Sequence, residues 1–256
     1  MQKELNRVPE VTFYFWVIKV LATTVGETAA DFLSTTLNLG LGGTSNVMGG
    51  VLLIALFNQF RLKRYVPANF WFVVVLISVV GTLITDRLID EFGISLLSTT
   101  VVFSLSLATV FALWYRNERT LAMHSINTAK REIYYWVAVL FTFALGTAVG
   151  DLLAESLHLG YALSVLLFAT SISLISLGYF YFKLNGILAF WLVYILTRPL
   201  GASLGDLLSQ PQENGGFGYG TVGTSMLFLS IILILVLYLS FRQKRITILP
   251  DSETNE

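Results

Sequence analysis

A tryptophan, a glycine ten residues later and an aspartate five beyond that recur four times along this chain. The copies are Trp16–Gly26–Asp31, Trp71–Gly81–Asp86, Trp136–Gly146–Asp151 and Trp191–Gly201–Asp206. Self-similarity in a fixed register marks a repeat architecture, in which each copy buries its face against its neighbours. A small residue, Ala30, Thr85, Gly150 or Gly205, stands just before each aspartate. On a helix, positions ten and fourteen after the tryptophan lie one turn apart on one face. They form the small-xxx-small pairs that let helix backbones approach closely in lipid.

The copies lie in apolar surroundings. Of 256 residues, 55% are hydrophobic and 12% charged, about half the charged fraction of a soluble domain. Apolar runs of roughly twenty residues, the length that crosses about 30 Å of hydrocarbon, recur throughout. The expected fold is all-α: a polytopic membrane protein forming a single domain over residues 1–256 in the lipid bilayer. Eight spans are predicted at 11–37, 44–62, 68–89, 94–115, 133–157, 161–182, 186–209 and 221–241. They pair into four repeats at about 11–65, 66–120, 131–185 and 186–242, and 246–256 reads as a disordered tail. A glycine opens each even span, at Gly40, Gly93, Gly160 and Gly218.

Lysine and arginine set the orientation. Thirteen of the sixteen fall before span one, at the very end of an even span or after it, from Lys3 and Arg7 to Arg242, Lys244 and Arg245. The positive-inside rule then puts both termini in the cytoplasm and the protein in the cytoplasmic (inner) membrane. The tryptophans, 55, 65 and 55 residues apart, point to a duplicated pair of repeats. All four would enter the membrane in the same direction, about an axis along its normal.

With these residues in view, the chain resembles an uncharacterised family of prokaryotic membrane proteins built of four tandem two-helix repeats, each with a characteristic tryptophan. Trp16, Trp71, Trp136 and Trp191 carry the resemblance, which covers roughly residues 10–242. It implies eight spans and four repeats and brings no activity with it.

The candidate chemistry lies at positions eleven and fifteen of the repeat. Each aspartate is about 22 Å along the helix from its tryptophan. If the tryptophans mark the cytoplasmic interface, the aspartates sit in the outer half of the membrane. A carboxylate there costs at least about 2.5–3.5 kcal/mol and normally faces a cavity and a partner. Around a fourfold axis Asp31, Asp86, Asp151 and Asp206 would converge, with Glu27 one turn deeper and Thr82 and Thr147 adding hydroxyls. Oxygen ligands suit hard cations, with Asp31, Asp151 and Asp206 as the candidate metal ligands. Crowded carboxylates also exchange protons, so proton coupling belongs to the expectation. The bland alternative is that these aspartates cap neighbouring helices or sit in interfacial water. Asp86, followed by Arg87, Asp90 and Glu91, fits that alternative best.

Two cations break the pattern. Lys19 is expected to snorkel to the cytoplasmic interface. Arg198 precedes Pro199, which removes a backbone hydrogen bond and is expected to kink span seven. Arg198 and Pro199 together read as a coupling or gating element, with Arg198 neutralising a carboxylate when no ion is bound. A static ion pair is the alternative.

The functional expectation is a transporter or channel for an inorganic cation, with divalent Mn²⁺ or Mg²⁺ foremost. The alternative is a non-transporting membrane scaffold or sensor with structural aspartates. There is no cysteine, only two histidines, and no catalytic motif of the G-x-S-x-G or H-E-x-x-H kind. An enzyme and a cofactor are therefore not expected. A formal net charge of zero gives no reason to expect a nucleic-acid partner.

Overall fold

The computed structural model describes residues 6–36 and 39–248. Lys3, the end of the first expected span at Leu37 and positions 249–256 of the tail lie outside the described residues. Eight long helices make up the rest: α1 Phe13–Asp31, α2 Gly40–Arg61, α3 Pro67–Asp86, α4 Leu96–Glu118, α5 Ala129–Asp151, α6 Tyr161–Phe182, α7 Gly186–Ser209 and α8 Gly220–Ile248. No strand occurs among the described residues, so the chain is all-α. Seven helices, all but α1, are long and apolar enough to cross a membrane, and the chain is a membrane protein. Lys19 and Glu27 dilute the apolar character of α1.

Local chemistry sets the helix starts. Thr12 caps α1 and Ser95 caps α4. Asn185 accepts from two backbone N–H groups at the start of α7, and Pro67 opens α3, where its missing N–H has no cost. Thr128 caps α5 by accepting from the Arg131 N–H, so α5 begins at Ala129, inside what reads as a loop. α8 runs through Ile248, so residues 246–248 are helical rather than part of a disordered tail. α7 is one continuous helix with Pro199 inside it.

Three of the aspartates mark a change of helical pitch. Asp31, Asp86 and Asp151 are the last α-helical residues of α1, α3 and α5, and each is followed by one π-helical turn: Phe32–Thr36, Arg87–Glu91 and Leu152–Ser156. Such turns are found often at functional sites. The chain then reverses through a glycine with positive φ, Gly40, Gly93 or Gly160. Gly218, before α8, shares that conformation. This is why glycine recurs there, since a Cβ in the left-handed region costs about 1–2 kcal/mol.

The odd helices form a closed inner ring, α1 on α3, α3 on α5, α5 on α7 and α7 back on α1. The even helices form an outer layer with a shifted partnership. α2 packs on α3, α4 on α5, α6 on α7 and α8 on α1. Each outer helix therefore braces the next inner helix, not the one it follows in sequence. Burial follows this division, with α3 and α5 mostly covered and α2, α4 and α6 mostly open.

Candidate functional site

At the tryptophan end the ring is closed by aromatic side chains. The residue before each tryptophan is aromatic in every copy: Phe15, Phe70, Tyr135 and Phe190. Each packs on the tryptophan of the next copy. The centroid distances are 5.5 Å for Phe15–Trp71, 5.2 Å for Phe70–Trp136, 6.4 Å for Tyr135–Trp191 and 5.5 Å for Phe190–Trp16. Trp71, Trp136 and Trp191 are buried and Trp16 half-buried. These three form a floor inside the ring. The aromatic before each tryptophan was the available signal.

Beneath this floor a polar cap crosses several elements. Glu132 is fully buried. It pairs with Arg7 at 2.7 Å and accepts from Gln59 Nε2 at 2.8 Å and Trp136 Nε1 at 3.4 Å. The Arg7 N–H donates to the Ile126 carbonyl and the Tyr65 N–H to the Asn6 carbonyl. Burial pushes the Tyr65 hydroxyl well above the usual phenol range, and it accepts from Trp71 Nε1 at 3.2 Å. Glu132 and Gln59 each occur in one copy only, so the repeat register gave no sign of them.

Above the floor the glycines let the helices touch. A Cβ added at Gly26 would meet Ser78, at Gly81 Phe143, at Gly146 Arg198 and at Gly201 Thr23. In each case the residue met stands seven after the next tryptophan. Gly26, Gly81, Gly146 and Gly201 thus make the close approaches expected of them, one at each seam of the ring. Thr85 closes its seam further by donating from Oγ1 to the Ala144 carbonyl at 3.0 Å.

Arg198 enters the ring centre over Gly146. Its Nη2 donates to Glu27 Oε2 at 2.9 Å, to Thr147 Oγ1 at 2.8 Å and to Thr82 Oγ1, and its Nη1 donates to the Thr23 carbonyl at 3.2 Å. One guanidinium therefore ties α1, α3, α5 and α7 together. Glu27, Thr82 and Thr147 do converge, around the cationic side chain of the fourth copy. The remaining position eleven is Ala202, which is buried and adds no donor or acceptor.

Toward the other end the ring widens into a cavity of about 360 Å³, lined by Asp31, Asp86, Asp151 and Asp206, with Glu27 beneath them. Asp206 is buried and the other three aspartates are part-exposed. Asp86 lies within electrostatic reach of Glu27, Asp151, Asp31 and Asp90. Asp86, which of the four best fitted the interfacial alternative, thus lines the same cavity as the other three. Arg87 turns to Glu91 at 2.7 Å, leaving Asp86 on the cavity wall. Asp31, Asp151 and Asp206 share the cavity without forming a metal centre. Among the described residues no three carboxylate or histidine side chains are close enough to hold one metal ion.

Four similar copies, one per inner helix, decide what the chain belongs to. A model of the family described as Repeat of Unknown Function (DUF347) matches residues 14–65, 69–120, 134–184 and 189–245. The chain belongs to this DUF347 repeat family. No curated protein and no solved structure matches it.

The four DUF347 repeats share the floor, the glycine seams and the aspartates, and they differ at the centre. Repeat one supplies Glu27, repeats two and three supply threonines, and repeat four supplies Arg198. Repeat one also supplies Lys19, where the expectation of snorkelling fails. Its Nζ is fully buried with no hydrogen-bond acceptor, 4.0 Å from the Phe143 ring centroid and 4.2 Å from that of Tyr194. The aromatic floor below blocks the route to the interface that its stem would need.

Proposed function

We propose that this protein is a membrane transporter or channel for an inorganic cation, with a divalent metal such as Mn²⁺ or Mg²⁺ the leading substrate and proton coupling part of the same reading. All eight helices cross the cytoplasmic membrane, with both termini in the cytoplasm. The four two-helix repeats run in parallel about an axis along the membrane normal. The aspartate cavity faces outward. Supporting this orientation are the basic residues gathered at the opposite end.

One observation carries the reading. Four aspartates from equivalent positions line one cavity above Glu27, and the only ion-pair partner of Glu27 among the described residues is Arg198. Rings of acidic side chains attract cations in channels. The spread of the aspartates suits an ion that keeps its water, as Mg²⁺ commonly does. A cation that goes deeper takes the place of the guanidinium among Glu27, Thr82 and Thr147, and Arg198 acts as the gate. The scaffold reading draws on the same geometry, because a buried ion pair with this many hydrogen bonds also suits a static tie.

The two readings part in one experiment. Purified protein is titrated with Mn²⁺ and Mg²⁺ while its thermal stability is followed, and metal uptake is measured in liposomes. Asp31→Asn combined with Asp151→Asn is expected to lose both responses while keeping the unliganded melting temperature. If the double variant binds and transports as the parent does, the cation reading falls and the static tie stands.

A further inference from the structure

A cation that passes Arg198 meets the aromatic floor, and the floor is bonded from its far side. Trp71, Trp136 and Trp191 each have the indole N–H held there. Trp71 Nε1 donates to the Tyr65 hydroxyl at 3.2 Å, Trp136 Nε1 to Glu132 Oε1 at 3.4 Å and Trp191 Nε1 to the Leu121 carbonyl at 2.9 Å. The three holders come from different parts of the chain, and residues 6–8 bond to each of those parts. The Asn6 carbonyl accepts from the Tyr65 N–H at 3.0 Å, and Arg7 pairs with Glu132 at 2.7 Å. The loop that carries Leu121 is held twice. The Arg7 N–H donates to the Ile126 carbonyl at 2.9 Å, and Asn6 Nδ2 donates to the Met123 carbonyl at 3.3 Å. Val8 is buried in the same core cluster as Trp71, Trp136 and Trp191. The fourth tryptophan, Trp16, is on the helix into which this segment leads.

We propose that residues 6–8 are a strap that holds the floor shut, and that release of the strap opens the ring at the tryptophan end. Release as a gating step rests on the cation reading above, and it gives that path a second gate. A side chain turns between staggered rotamers, and an indole whose N–H is bonded gives up that bond when it turns. One segment joined to all three holders lets the three indoles come free together. Of the strap's contacts the Arg7–Glu132 pair is the strongest, because both groups are charged and Glu132 is fully buried. A cation arriving through the floor takes the place of Arg7 on Glu132, as one arriving from the cavity takes the place of Arg198 on Glu27. The floor thus lies between two buried glutamates, each covered by an arginine.

The chain has no cysteine, which gives a direct readout. Val139 is fully buried one turn along α5 from Tyr135, toward Arg198, so Val139→Cys sets a thiol behind the floor. Val79→Cys is the control, also buried but in a separate cluster with Ala30 and Leu83. The purified full-length protein, with no cation added, is treated with 2-(trimethylammonium)ethyl methanethiosulfonate. Labelling of Val139→Cys is expected to be slow while the strap is intact. Adding Arg7→Gln is expected to speed it by about tenfold or more, the factor that follows from losing a hydrogen bond between charged groups. Adding Asn6→Ala, which leaves every charge in place, is expected to speed it less. Val79→Cys is expected to keep its parent rate in both backgrounds. Equal rates at Val139→Cys with and without the strap variants would overturn the proposal. So would equal acceleration at both thiols, because general loosening of the fold would then be the cause. Mn²⁺ uptake into liposomes is scored separately. Uptake absent from parent and variants alike, with the labelling contrast intact, sinks the cation reading and leaves the strap as the latch of the floor.

Discussion

The aromatic floor and the layer around Arg198 are built from the same four helices, and they obey different rules. In the floor every copy makes the same contact, an aromatic residue on the next tryptophan, and the cycle closes on itself. Around Arg198 the four copies take three different parts. One offers a carboxylate, two offer hydroxyls and one reaches across all of them. Packing survives duplication unchanged, because like surfaces fit like surfaces around an axis. Charge does not. Four equal carboxylates or four equal cations at one point repel one another, so a buried polar centre on the axis must be made of unequal parts.

The comparison is tested most severely at Glu27. Glu27→Gln leaves Arg198 buried without its counter-charge, and the expected loss is about 3–5 kcal/mol of stability. Adding Arg198→Met to it is expected to recover most of that loss. The check is a denaturation series on the two single variants and the double variant. Additive losses would mean that the centre is as modular as the floor.

A smaller effect is expected from the hydroxyls. Thr82→Val and Thr147→Val each remove one acceptor of Arg198, at about 1–3 kcal/mol. The mirror change, Ala202→Thr in the fourth copy, restores no bond because Arg198 does not reach its own helix there. Melting temperatures of the three variants sort the positions. A stabilising Ala202→Thr would show that the centre tolerates fourfold symmetry.

The floor should give the smallest and most uniform response. Phe15→Leu, Phe70→Leu and Phe190→Leu each remove the contact with the next tryptophan together with three other ring contacts, and each such pair is worth about 0.5–1.5 kcal/mol beyond the area buried. The three losses are expected to agree with one another. A spread as wide as that among Glu27, Thr82 and Thr147 would erase the distinction between the two regions.

How much of this was legible before the structure depended on which rule a residue obeys. The helices, the ring-facing glycines and the shared level of the aspartates follow from a register kept four times, and periodicity records such repeated contacts. The floor was legible too, in Phe15, Phe70, Tyr135 and Phe190, once the residue before each tryptophan is read. Glu132 with Arg7 and Gln59 was not legible, because single-copy residues far apart in sequence leave no period. Lys19 misled for a related reason. A lysine three residues from an interface normally escapes to water, and only the aromatic layer beneath it removes that route. The distance between the aspartates also lay beyond the sequence. Equivalent positions fix a common level but not a radius, and at that level the ring holds a cavity.

The shifted partnership of the outer helices has a consequence for the chain ends. α8 completes the circle by bracing α1. Near that closure the segment before α1 and the last part of α8 both bond Tyr65, whose N–H donates to the Asn6 carbonyl and whose carbonyl accepts from Gln243 Nε2. Linking the chain from Gln243 to Asn6 and opening it between α4 and α5 would swap the order of the two halves and leave each helix beside its present neighbours.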